Sequence, residues 1–225
     1  MQMIDQKVDT QLDTEQIEIH MARKSFYQLF HLLLSKPFTL ETYKEIQEGG
    51  NIEGLLDLDQ GGKLLYDFFK SEHIEESLQL ARDDYFRLFI GPYSLPAPPW
   101  ESVYRGKEHA LFDFPTFEVR QLFQQFGLEI EKKPNQHVEA EDHIAFELEF
   151  MILLIEKTLQ EKNEKTRRTL LMGQKNMVDK HLALWMPQFT GDIKNNASST
   201  LFLGIADLLD GFIKFDSQVL NELLS

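Results

Sequence analysis

Apolar residues recur at three- and four-residue intervals along nearly the whole chain, and no stretch alternates as a half-buried strand would. Ala22, Phe26, Leu29, Phe30 and Leu33 set a helix over 14–35, with Thr14 as N-cap and Pro37 beyond its end. Short helices follow over 40–48, ending at Gly49-Gly50, then over about 52–58 and over 63–70, with Gly61-Gly62 between the last two. Ser71 can cap a helix that runs to about Ile90. The pattern breaks over 91–110, where Pro92, Pro96, Pro98 and Pro99 fall. A helix from about Thr116 ends at Gly127.

Residues 128–138, LEIEKKPNQHV, are polar and contain Pro134, which marks a connection between an N-terminal lobe (1–127) and a C-terminal lobe (139–225). Helices are expected over about 139–162 and 165–185, the second closed by Pro187, and over 197–215 and 217–224. The expected fold is all-α, a multi-helix bundle of about nine to eleven helices.

Two stretches stand out. Tyr85, Leu88 and Phe89 share one helix face and lead into the proline loop, which carries Tyr93, Trp100 and Tyr104. Such a loop either lids the core or forms an apolar recognition surface. The second stretch starts the helix placed near 139. On a wheel of 100° per residue, Ile144, Leu148, Met151, Ile152 and Ile155 make one apolar face, and Phe146, Phe150, Leu153 and Leu154 lie opposite. Ala145, Glu149 and Glu156 alone are left for solvent, so this helix should be central. Glu139, Asp142, His143 and Glu147 share the side of Phe146 and Phe150 and should line the mouth of a cleft. Three readings fit that cluster. It is a satisfied structural cap, an acid–base pair of Asp142 and His143, or a receptor for a cationic group, since carboxylates accept bidentate hydrogen bonds from Arg.

Charge narrows the choice. Lys plus Arg is 23 against 37 Asp plus Glu, a net charge of −14. That argues against nucleic-acid and anionic-lipid partners and is compatible with a cationic one. Zero Cys excludes disulfides, iron–sulfur ligation and thiol catalysis. There is no G-x-S-x-G, no G-x-G-x-x-G and no Glu-x-x-His pair. Gly62-Lys63 imitates a phosphate loop, but Asp57 and Leu64 occupy its first Gly and its Ser/Thr positions. No catalytic set, metal site or cofactor is expected. The first twenty residues lack a secretory pattern, and the longest strongly apolar stretch, 150–155, is far short of the ~20 residues that span a bilayer. A soluble cytoplasmic protein without membrane insertion is expected.

The two stretches, read together, resemble the TorD/DmsD family of cytoplasmic redox-enzyme maturation chaperones. The resemblance is carried by Tyr85-x-x-Leu88-Phe89-x-Gly91-Pro92 and by Pro96-Ala97-Pro98-Pro99-Trp100-x-Ser102-Val103-Tyr104. It continues through Phe112-Asp113, Thr116-x-x-Val119-Arg120 and Phe126-Gly127-Leu128 to Glu139-x-x-Asp142-His143-Ile144-x-x-Glu147-Leu148-x-Phe150-Met151, with Leu182, Trp185-x-Pro187 and Phe189 in the tail. The proline loop is similar to the DmsD branch. Tyr85 stands where that branch often has Trp, and Ala140 where the family usually has Pro.

The resemblance implies an all-helical, non-enzymatic chaperone. It would bind the twin-arginine leader of a molybdopterin oxidoreductase catalytic subunit of the dimethyl sulfoxide reductase type, delaying export until the cofactor is inserted. An assembly chaperone for a mature or internal segment, as in the nitrate reductase branch, is the alternative. The leader-binding residues it implies are Leu88, Phe89, Pro99, Trp100, Asp142 and His143, with Tyr85 and Glu139 beside them. Glu139, Asp142 and Glu147 would receive the Arg pair, and Tyr85, Leu88, Phe89, Pro99 and Trp100 the apolar stretch. Export machinery is a further expected partner, and the chain is expected as a monomer or as a dimer swapped about 128–138.

Overall fold

The computed structural model of the protein describes residues 12–131 and 139–225. The expected all-α fold is found. Ten α-helices occur among the described residues, and an antiparallel bridge joins Trp100 to His143. The helices are α1 (Thr14–Leu34), α2 (Leu40–Gly49), α3 (Gln60–Phe69), α4 (Ile74–Tyr85), α5 (Glu101–Arg105), α6 (Phe114–Gln125), α7 (Ile144–Gln160), α8 (Glu164–Met177), α9 (Ala183–Asn196) and α10 (Thr200–Leu224). A 3-10 turn covers Glu53–Asp57, and π turns cover Phe86–Ile90 and Val178–Leu182.

Capping chemistry sets most starts. At α1 the cap is Asp13 rather than Thr14: its carboxylate accepts from the Gln16 N–H, and the Gln16 side chain accepts from the Asp13 N–H. Asp59 caps α3 by accepting from the Gly62 N–H, so Gly61 and Gly62 lie inside the helix instead of separating two. Gly61 faces α10. The helix expected from 139 begins at Ile144, because His143 Nδ1 accepts from the Ala145 N–H and ends the preceding turn. Glu139 and Asp142 therefore precede α7 rather than sit on it, and Ala145, expected in solvent, is 8% exposed.

Pro187 does not end a helix. It is the fifth residue of α9, is solvent-facing, and follows a π turn that has already shifted the hydrogen-bond ladder. The last two expected helices are one, α10, capped by Ser199.

Packing joins α1 to α7, α3 to α10, α9 to α10 and α7 to α8. Helices from both sides of the expected connection share one hydrophobic cluster. Of that connection, 132–138 lies outside the described residues. Inside the cluster sits a buried polar network. Arg23 pairs bidentately with Asp216 at 2.5 and 3.1 Å and donates to Gln174 at 2.8 Å, and Tyr27 donates to Asp216 at 2.7 Å. The pair is satisfied on every side, as buried charge requires. Asp84 similarly accepts from the N–H groups of Ser198 and Ser199, tying the end of α4 to the start of α10. Among the described residues no helix is long and apolar enough to cross a membrane.

Candidate functional site

The proline loop ends by docking on the turn before α7. Ile144 N–H donates to the Pro99 carbonyl at 2.9 Å, and Glu101 N–H donates to the Asp142 carbonyl at 3.0 Å. These bonds flank the Trp100–His143 bridge. Asp142 locks the junction. Its carboxylate, 0% exposed, accepts from the Ser102 N–H at 2.6 Å and from Thr116 Oγ1 at 2.7 Å, joining the starts of α5 and α6 to α7. Burial pushes the Asp142 carboxyl above the usual carboxylate range, against the hydrogen bonds from Ser102 and Thr116.

Outside this lock lies a half-exposed patch. Trp100 Nε1 donates to Glu139 Oε1 at 2.9 Å, and the indole meets the His143 ring edge-on at 5.4 Å. Burial lowers His143 to about 4, so the ring is neutral near pH 7. Because Nδ1 accepts from Ala145, the proton belongs on Nε2.

The His143 ring in turn lies 6.1 Å from Phe146. Phe146 begins an open groove of about 440 Å³, floored by Phe123, Leu128, Ile130, Phe150 and Leu153 and edged by Glu129, Glu131 and Glu149. Glu129 and Glu131 make no ion pair among the described residues. In an adjoining cavity of about 230 Å³ that shares Phe123, Leu128, Glu129 and Ile130 with the groove, Arg120 grips Glu141 through two parallel bonds of 2.7 and 2.9 Å.

The expected site residues divide into two groups. Trp100, Glu139 and His143 form the accessible patch. Tyr85 (4% exposed), Leu88 (0%) and Phe89 (4%) face inward, with Phe89 packed on Phe189 and Phe202. Pro99 is buried and holds α7 through its carbonyl. The acidic trio is not one surface. Glu147 is wholly buried and accepts from Trp185 Nε1 at 3.1 Å. Burial, with Glu101 beside it, pushes the Glu147 carboxyl well up. The groove carboxylates Glu129 and Glu131 escaped the sequence reading. Their alternation with Leu128 and Ile130 was the available signal, hidden in a stretch read as a connection.

The model of the family described as nitrate reductase delta subunit matches residues 56–191. The chain belongs to this family, the one that holds the TorD/DmsD chaperones. It is 28% identical to the chaperone protein TorD of Vibrio parahaemolyticus, over 88% of this chain and 94% of that protein. It is 33% identical to the Tat proofreading chaperone DmsD of Salmonella typhi, over 60% of this chain and 58% of that protein. With the perchlorate reductase assembly chaperone protein of Dechloromonas aromatica it shares 26% identity, over 88% of this chain and 90% of the relative. TorD/DmsD relatives are by name chaperones and assembly proteins, not enzymes. That agrees with a sequence free of hydrolase and nucleotide-loop motifs.

Proposed function

We propose that this protein is a cytoplasmic chaperone that binds the twin-arginine leader of a molybdopterin oxidoreductase of the dimethyl sulfoxide reductase type. It holds the client from export until folding and cofactor insertion are complete. The observation that carries this reading is the groove, which has an apolar floor, carboxylates along its edge that make no ion pair among the described residues, and the Trp100–Glu139 patch at its end. A twin-arginine leader has the matching order, an Arg pair followed by an apolar stretch.

Glu139, Glu129 and Glu131 receive the guanidinium groups, in the two-bond geometry that Arg120 already makes with Glu141. Phe146, Leu153 and Ile130 receive the apolar stretch. Neutral His143 offers its Nε2–H to a leader carbonyl. Tyr85, Leu88, Phe89, Pro99 and Asp142 act from beneath by holding the loop that presents Trp100.

Calorimetric titration with a leader peptide and its Lys-Lys variant, at two salt concentrations, tests the reading. Binding should weaken about tenfold on the Lys-Lys change and again at high salt. Trp100→Ala should cost about 2 kcal/mol of binding with the fold intact. Failure of the full chain to bind any leader would overturn it.

A second reading is an assembly chaperone for a mature or internal segment of such an enzyme. It is favoured by the family's description and by the relative named for perchlorate reductase assembly. Capture of the leaderless catalytic subunit, without affinity for the isolated leader, would select it.

A further inference from the structure

Beneath the loop lies a cluster that leader binding does not use. Glu101 opens α5, Glu147 lies in the first turn of α7, and His181 comes from the π turn after α8. Each offers one ligand-type atom, and the three atoms lie within 4.8 Å of one another. His181 Nδ1 is 2.9 Å from Glu101 Oε2. All three side chains are shut from bulk solvent, at 0%, 0% and 4% exposure.

Two features make this more than a satisfied polar knot. The first is an orphan atom. Glu147 Oε2 accepts from Trp185 Nε1, but Glu147 Oε1 is buried with no donor to accept from, and the side chain meets the Glu101 carboxyl, to which it can bond only when one of the two acids holds a proton. A buried carboxylate oxygen is normally paired or ligating. The second is access. A cavity of about 380 Å³, lined by Arg105, Glu118, Asn176, Lys180, His181 and neighbours, opens beside the cluster.

Arg105 stands between them and pairs with Glu101. Its guanidinium also lies 3.7 Å from Glu118 Oε2 and 5.7 Å over the Phe114 ring. Arg105 can therefore release Glu101 and keep partners. Two carboxylate oxygens and one imidazole nitrogen, with room for a fourth ligand, are a donor set suited to Zn²⁺ and its first-row neighbours.

We propose that Glu101, Glu147 and His181 form a binding site for one first-row divalent metal ion of the Zn²⁺ class. The ion takes Glu147 Oε1 as a ligand and bridges α5, α7 and the turn after α8. The site is independent of the leader groove.

The full chain, stripped with EDTA, is titrated with Co²⁺ alone and followed by visible d–d absorption. One equivalent should bind, and added Zn²⁺ should bleach the band. Glu147→Gln keeps shape and hydrogen-bonding capacity and should weaken Co²⁺ binding at least about tenfold, as should His181→Gln. Replacing His73, which is exposed and remote in sequence, should change nothing. Should His181→Gln fail to fold, Glu147→Gln decides alone. No Co²⁺ band in the parent protein overturns the proposal, as does undiminished affinity in a Glu147→Gln protein with parental circular dichroism.

Discussion

Gly61 and Gly204 face each other where α3 meets α10. A Cβ placed on Gly61 would stand 2.7 Å from the Gly204 carbonyl oxygen and 2.5 Å from the Leu208 nitrogen. Both obstacles are backbone, so neither can swing aside. Gly61→Ala should therefore destabilise the protein by about 2 kcal/mol or more, although alanine favours a helix by ~1 kcal/mol. Gly191, inside α9 with nothing within 4 Å of its added Cβ, is the control. Gly191→Ala should stabilise by roughly 0.5–1 kcal/mol. Denaturant unfolding of the two variants checks the contrast.

Charge at the groove edge should matter to binding and not to folding. The double variant Glu129→Gln, Glu131→Gln removes two carboxylates that have no ion pair among the described residues. Leader affinity should fall by about 1–2 kcal/mol at low salt, with less loss at high salt. The midpoint of thermal unfolding should stay within about 2 °C of the parent, as for surface changes generally. Unchanged affinity at low salt would remove these residues from the site.

Asp142 should behave in the opposite way. Asp142→Ala strands the Ser102 N–H and the Thr116 hydroxyl in a dry junction. The expected cost is about 2–4 kcal/mol, or roughly 10 °C in melting temperature. Below that melting point its effect on leader affinity should be smaller than that of Glu139→Gln, whose carboxylate is the exposed one. A larger loss of affinity from Asp142→Ala, measured by calorimetry on folded protein, would return Asp142 to direct contact.

His143 gives stability a pH dependence of defined sign. Its folded value, about 4, lies below the ordinary 6.5, so the unfolded chain takes up the proton first. The stability it contributes is complete above pH 6.5 and is lost as pH falls toward 4, by about 3 kcal/mol in all. His20, lowered to about 4 by burial and the Arg23 charge, acts in the same direction. Asp142 and Glu147, both raised by burial, act the other way and lose their contribution as pH rises. His143→Asn keeps a capping acceptor and removes the titration. Between pH 7 and pH 4 the variant should gain about 3 kcal/mol on the parent in urea unfolding, and parallel curves would contradict this assignment.

Periodicity made the architecture legible because a helix buries a stripe, and a stripe repeats. It misled where tertiary contacts override local rules. Gly61-Gly62 reads as a break in sequence, yet Gly61 is what lets α3 approach α10. Pro187 reads as a stop, yet an upstream π turn absorbs it. Within the candidate site, the meeting of Trp100, Glu139 and His143 was legible, since the loop runs back to the turn before α7. Tyr85, Leu88 and Phe89 were not separable into core or surface, because a buried face and a recognition face ask for the same side chains. Glu147 looked like a neighbour of Glu139 only while the helix was drawn from 139.

The Arg23–Asp216 pair joins α1 to α10 across 193 positions. During synthesis, Arg23 leaves the ribosome long before its counter-ion exists. Until α10 emerges, α1 cannot bury that guanidinium against α7 without leaving a charge unpaired. The nascent chain must keep this face of α1 wet, and final closure waits until residue 216 has been translated. A chain stopped before residue 216 should be a substrate for proteolysis rather than a smaller working protein.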